Sequence, residues 1–85
     1  RQVLTQENFA RVQPGMGMDE VRRLLGKPAK TTRFDLTGET HVDWRFMQDA
    51  NTRKVFTVIT KGDGKVLRTQ FGLDPMASEN LGGGR

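Results

Sequence analysis

At Thr31 the spacing of apolar residues changes from a helical period to strict alternation, which restricts the chain to helices followed by a sheet. Before the switch, Phe9 and Val12 share one helical face, and Met18, Val21, Leu24 and Leu25 form a second apolar stripe. After it, Val42, Trp44 and Phe46 alternate with His41, Asp43, Arg45 and Met47, the pattern of a strand with one buried face. Residues 54–61, Lys-Val-Phe-Thr-Val-Ile-Thr-Lys, are rich in β-branched and aromatic types and read as the central strand.

The punctuation supports this division. Thr5 is placed to cap a first helix, with Leu4 and Phe9 at hydrophobic-staple spacing and Pro14-Gly15 to end it. A second helix opens near Gly17 and stops at Gly26, with Pro28 just beyond. Its acids, Asp19 and Glu20, lie at the start and Arg22 and Arg23 towards the end, as the helix dipole favours. Helices of roughly two turns are unstable alone and need a surface to pack on. Gly62-Asp63-Gly64 predicts a hairpin, because glycine accepts the positive φ of a tight antiparallel turn, and Lys65–Phe71 returns as the next strand. Thr31–Leu36 is expected to add an edge strand against residues 40–47, and Asp49–Arg53 to form a polar connection.

The fold class expected is therefore α+β: two N-terminal helices packed on one face of a three- or four-stranded antiparallel meander, a two-layer sandwich. One domain should span residues 1–73, with a flexible tail over residues 74–85 that ends in Gly82-Gly83-Gly84. Composition agrees with a single small core. A chain of 85 residues hides only about 60–65% of its unfolded surface, leaving no deep cleft for a large cofactor. With ten glycines counted in, the apolar share is about 46%, within the roughly 45–50% usual for globular domains. The absence of Cys removes disulfides, thiolate metal sites, iron–sulfur clusters and a thiol nucleophile together. Beginning at Arg1 and holding no apolar run near about 18 residues, the chain reads as a mature or trimmed fragment.

Few residues invite catalysis. His41 and Asp43 lie on one face of a strand, the minimal general-base pair, but no nucleophile stands near them and a solvated surface pair is expected. One His with scattered carboxylates does not match a metal-ligand spacing. Gly15-Met16-Gly17 precedes a helix, yet no third glycine and no following Lys-Ser or Lys-Thr completes a phosphate loop, so Gly17 is read as a helix cap. No catalytic residue, metal ligand, cofactor or small-molecule substrate is expected.

Charge is the other lead. The net charge is +4, from fourteen Lys and Arg against ten Asp and Glu, which is ordinary for a soluble surface. Arg22, Arg23, Lys27, Lys30 and Arg33 nevertheless concentrate positive charge where the second helix ends and the sheet begins. Anionic headgroups or nucleic-acid phosphates are the ligands such a field attracts. Single-strand nucleic-acid binding needs exposed aromatics, whereas Trp44, Phe46, Phe56 and Phe71 read as core, so nucleic acid is not the expected partner.

The run Phe9-Ala10-Arg11-Val12-Gln13-Pro14-Gly15-Met16, then Asp19-Glu20-Val21, Leu24-Leu25-Gly26-Lys27-Pro28 and Trp44, resembles the SmpA/OmlA family of small bacterial outer-membrane lipoproteins. The likeness spans residues 4 to about 71, with Gly17 where the family carries a Ser or Thr cap. It implies an α-α-β-β-β sandwich of the kind also seen in each repeat of β-lactamase inhibitor protein. Within that fold Gly15, Met16, Val21, Leu25, Gly26, Pro28 and Trp44 would be structural motif residues. It further implies a non-enzymatic periplasmic domain at the outer membrane, whose lipid anchor and signal peptide lie outside this chain. Its partners would be subunits of the machinery that assembles β-barrel proteins. Arg33, Arg45, Lys54 and Arg68 are the candidate contacts to anionic lipid or an acidic partner, chosen by charge and expected exposure. The alternatives are a standalone periplasmic protein binder or inhibitor of the same fold and, more remotely, a small basic nucleic-acid binder.

Overall fold

The computed structural model describes residues 3–74. Two helices, α1 (Gln6–Ala10) and α2 (Met18–Leu25), precede four strands, β1 (Lys30–Phe34), β2 (Glu39–Asp49), β3 (Thr52–Lys61) and β4 (Lys65–Leu73). The strands form one antiparallel sheet in the order β1-β2-β3-β4. The meander thus has four strands, and residues 54–61 share its centre with the strand of Trp44.

Each helix begins as its sequence suggests. The Thr5 hydroxyl accepts the Asn8 backbone N–H at 3.1 Å, satisfying one free donor of α1. Gly17 opens α2 without a side-chain bond, its carbonyl accepting from Glu20 and Val21. The end of α1 differs from expectation, because the helix stops at Ala10, well before Pro14-Gly15. The reason is local: Arg11 and Val12 donate to the Asn8 and Phe9 carbonyls in tighter turns, and Pro14 has no N–H for the Ala10 carbonyl; beyond it, Gly15 donates its N–H to the Val66 carbonyl at 2.7 Å, and Val66 returns its N–H to Met16 at 2.8 Å. These backbone groups are satisfied by β4 and so leave the helical ladder.

The turns show similar economy. Gly62 and Gly64 adopt φ of 61° and 73° in the β3–β4 hairpin. The expected polar connection after Asp49 is instead a tight turn at Ala50-Asn51, with Asp49 paired to Thr52. Neither turn residue has positive φ, and the pairing register shifts between Met47 and Asp49, which absorbs the twist a non-primed turn imposes.

One apolar cluster joins Phe9 and Val12, then Val21 and Leu25 of α2, to Val42, Trp44 and Phe46 of β2, Phe56 and Val58 of β3, and Val66 of β4. Phe9 lies with its ring centroid 4.5 Å from that of Phe56 and 4.7 Å from that of Phe46. β3 is buried on both faces from Val55 to Thr60. Its Val55, Thr57 and Ile59 stand in register with Arg45, Asp43 and His41, on the side opposite Trp44. Phe71 corrects the expected core: its ring contacts Phe9, Phe46 and Phe56, yet the residue is 47% exposed. It sits on the outermost strand, where a helix of a single turn leaves one side of the ring open. The flexible tail expected over residues 74–85 lies, from Pro75 onward, outside the described residues. Asp74 itself is buried and donates its N–H to the Arg53 carbonyl at 3.2 Å.

Candidate functional site

The motif residues form the seam that closes α2 against the sheet. Val21 and Leu25 are fully buried on the sheet-facing stripe of α2. Gly26 ends the helix at φ 80° and ψ −161°, and its carbonyl accepts the Trp44 indole N–H at 3.0 Å. Pro28 follows, half-buried, where the chain turns into β1. At the other end of α2, Gly15 and the half-buried Met16 tie the inter-helix loop to β4 through Val66. Between them these residues shape the molecule, and none presents reactive chemistry.

The four candidate contact cations do not converge. Arg33 pairs with Thr40 in register, which puts it on the Val42 side of the sheet, exposed beside α2. Lys54 pairs with Phe46 on that same side but at the far end, its ammonium 6.0 Å from the Phe71 ring centroid. Arg45 and Arg68 lie on the opposite face. There Arg45 Nε is 3.7 Å from an oxygen of the buried Asp74. Arg68 is engaged by Glu39, its two terminal nitrogens donating at 3.2 and 3.4 Å.

His41 and Asp43 share a face but belong to different pairs. His41 Nε2 lies 3.0 Å from Glu39 Oε1 and its ring packs edge-on against Phe34. Asp43 accepts the Thr57 hydroxyl at 2.7 Å. Both are half-buried rather than freely solvated, His41 beside Glu39 on its own strand and Phe34 on β1, and Asp43 beside Thr57 across on β3. Glu39 is the organiser that was not singled out from sequence, although its two-residue spacing from His41 is the signal of a shared face. Its carboxyl is held below its ordinary 4.5, first by the hydrogen bond with His41 and then by that with Arg68. Among the described residues no group of three or more His, Asp and Glu is arranged to hold a metal ion.

A concave surface opens beside α2 and β1. Two adjoining cavities of about 600 and 530 Å³ share Arg22 and Thr31 and are taken together as a trough. Lys27, Pro28 and Lys30 line the first, while Met18, Arg33 and Thr40 line the second, together with the carboxylate of Asp35. Arg22, Lys27, Lys30 and Arg33 are all exposed, and none forms an ion pair among the described residues. The charge concentration read from the sequence is thus a physical surface, though only Arg33 stood among the four candidate contacts.

A family profile described as the outer membrane protein assembly factor BamE domain matches residues 2–69. The chain belongs to the BamE domain family. The SmpA/OmlA resemblance carried by Gly15-Met16, Leu25-Gly26, Pro28 and Trp44 is accordingly borne out. The fold is similar to a crystal structure assigned to the osmotically inducible lipoprotein OsmE, with a TM-score of 0.69 and 23% identity. That alignment covers 98% of this chain and 87% of the other, and at this identity it is a likeness of fold. No curated protein sequence matches. Among the described residues no helix is long and apolar enough to cross a membrane.

Proposed function

We propose that this BamE-family domain is a non-enzymatic binding and stabilising module of an outer-membrane lipoprotein, held at the periplasmic face in or near the β-barrel assembly machinery. The observation that carries this reading is the family match over residues 2–69. The single core cluster supports a two-layer sandwich with both helices on the Trp44 face, and residues 1–73 as one domain. Such a module works by surface complementarity, so its exposed charge and open strand edge are its working parts. Arg33, Arg45, Lys54 and Arg68 are proposed contacts to anionic headgroups or an acidic partner. Their division between two faces means that a flat bilayer engages at most one subset at a time.

Capture of assembly-machinery subunits by the lipidated full-length protein tests the partner half. Retention of those subunits supports it, whereas their absence favours a standalone periplasmic binder of the same fold. Chemical-shift mapping with phosphatidylglycerol micelles tests the lipid half. Unchanged amides around Arg45 and Lys54 would remove those two from the lipid surface.

A further inference from the structure

We propose that the outer edge of β1 and the cationic trough beside it form a docking site for an acidic, extended segment of a partner protein, added to the sheet as a fifth strand. This deepens the reading of the domain as a partner-binding module and rests on it.

Both outer strands leave backbone unpaired among the described residues, but β4 beyond Val66 carries one cation, Arg68, which Glu39 already holds. The start of β4 is closed by the chain itself, through the bonds of Gly15 and Met16 to Val66 and of the Met18 N–H to the Gly64 carbonyl. β1 pairs with β2 on one side, and no strand among the described residues pairs with the other. An unpaired edge offers a row of backbone donors and acceptors to an incoming strand. The first cavity, with Lys27, Pro28 and Lys30, lies where this edge begins, and the second extends from Thr31 and Arg33 inward over Thr40 and Val42 of β2 to Thr60 of β3. The five residues of β1 span about 17 Å at roughly 3.4 Å per residue.

Charge selects the occupant. Arg22, Lys27, Lys30 and Arg33 surround this edge, against the single lining carboxylate of Asp35. A second copy pairing through β1 would bring Lys30 and Arg33 towards their counterparts, and such like-charge juxtaposition is disfavoured. A strand bearing Asp or Glu places its carboxylates among these guanidinium and ammonium groups instead.

The test uses ¹⁵N-labelled protein and a blocked peptide of alternating Glu and Val, about eight residues long, with a Lys-for-Glu counterpart as control. The expected result is shifted amides over Lys30–Phe34 with slowed exchange of those facing outward, seen with the acidic peptide only. Binding should fade near about 1 M salt, where the Debye length is about 3 Å. Arg22→Glu with Arg33→Glu should weaken it by roughly tenfold, as two exposed charge contacts imply. Lys30→Gln with Arg33→Gln serves if the reversal disturbs the circular dichroism or the melting temperature. Equal binding of both peptides, shifts elsewhere, no shifts, or shifts without slowed exchange overturn the proposal. So does a response of the same amides to phosphatidylglycerol vesicles alone, which assigns the trough to lipid headgroups. Concentration-dependent protection of β1 without peptide overturns it in favour of self-association. If the full-length lipoprotein captures assembly subunits equally well with and without the Arg22 and Arg33 reversals, the module reading stands and this site falls. If the peptide docks as expected while capture fails, the site stands and that reading falls.

Discussion

Gly26 shows how much one residue contributes to this fold. Its backbone, at φ 80° and ψ −161°, lies in a region that is essentially glycine's alone. From there its carbonyl reaches the indole N–H of Trp44, joining the end of α2 to the middle of β2. A Cβ at this position meets only ordinary contact with Val3 at 3.9 Å, so the cost of Gly26→Ala is one of backbone strain. That substitution should lower stability by about 1–3 kcal/mol, measured by urea unfolding. Glu39 gives the acidic-pH prediction. Its native pKa lies below the unfolded 4.5, so its stabilisation is fully present above that value and is lost as pH falls through the native one. The stability gap between wild type and Glu39→Gln should therefore close below pH 4.5. An NMR titration should place the Glu39 midpoint below 4.5 in the wild type and raise it in both His41→Ala and Arg68→Ala. The glycine was legible from its place after Leu24-Leu25 and before Pro28. The cluster around Glu39 was not, because Arg68 is brought to it by two hairpins.

Among the elements, α1 is the clearest case of a helix held by packing. A helix of five residues cannot persist on propensity, and its cap contributes only part of what it needs. Thr5→Ala should cost about 1 kcal/mol, the usual worth of such a cap. Phe9→Ala should cost roughly 3–5 kcal/mol, because it empties the centre of the Phe46, Phe56 and Phe71 ring contacts. Denaturant unfolding gives both values, and amide exchange should show α1 opening locally in Phe9→Ala while β3 stays protected. Periodicity and capping signals placed the start of α1 correctly. Its end agrees with Pro14 four positions beyond Ala10, whereas the tie of the following loop to Val66, more than fifty positions away, has no local signal.

For the whole molecule, burial ranks the strands. β3 has neighbours on both edges and residues Val55–Thr60 buried, whereas β1 has one paired edge and no buried residue. Native-state hydrogen exchange should therefore be slowest in β3 and markedly faster in β1. Equal protection of the two would contradict the open edge on which the proposed docking depends. By itself the sequence determined the class and order of the elements, both helix starts, the Gly62–Gly64 hairpin and most of the core. All of these follow from periodicity and turn chemistry, which act between residues a few positions apart. The family was legible for the same reason, since its motif residues are the punctuation of the fold. Only the tertiary structure decided that the inter-helix loop is tied to Val66, that Phe71 lies at the rim, that Arg68 is brought to Glu39, and that the charged candidates divide between two faces. Those outcomes are settled by strand register and long-range hydrogen bonds, whose partners the chain brings together only when the whole sheet has formed.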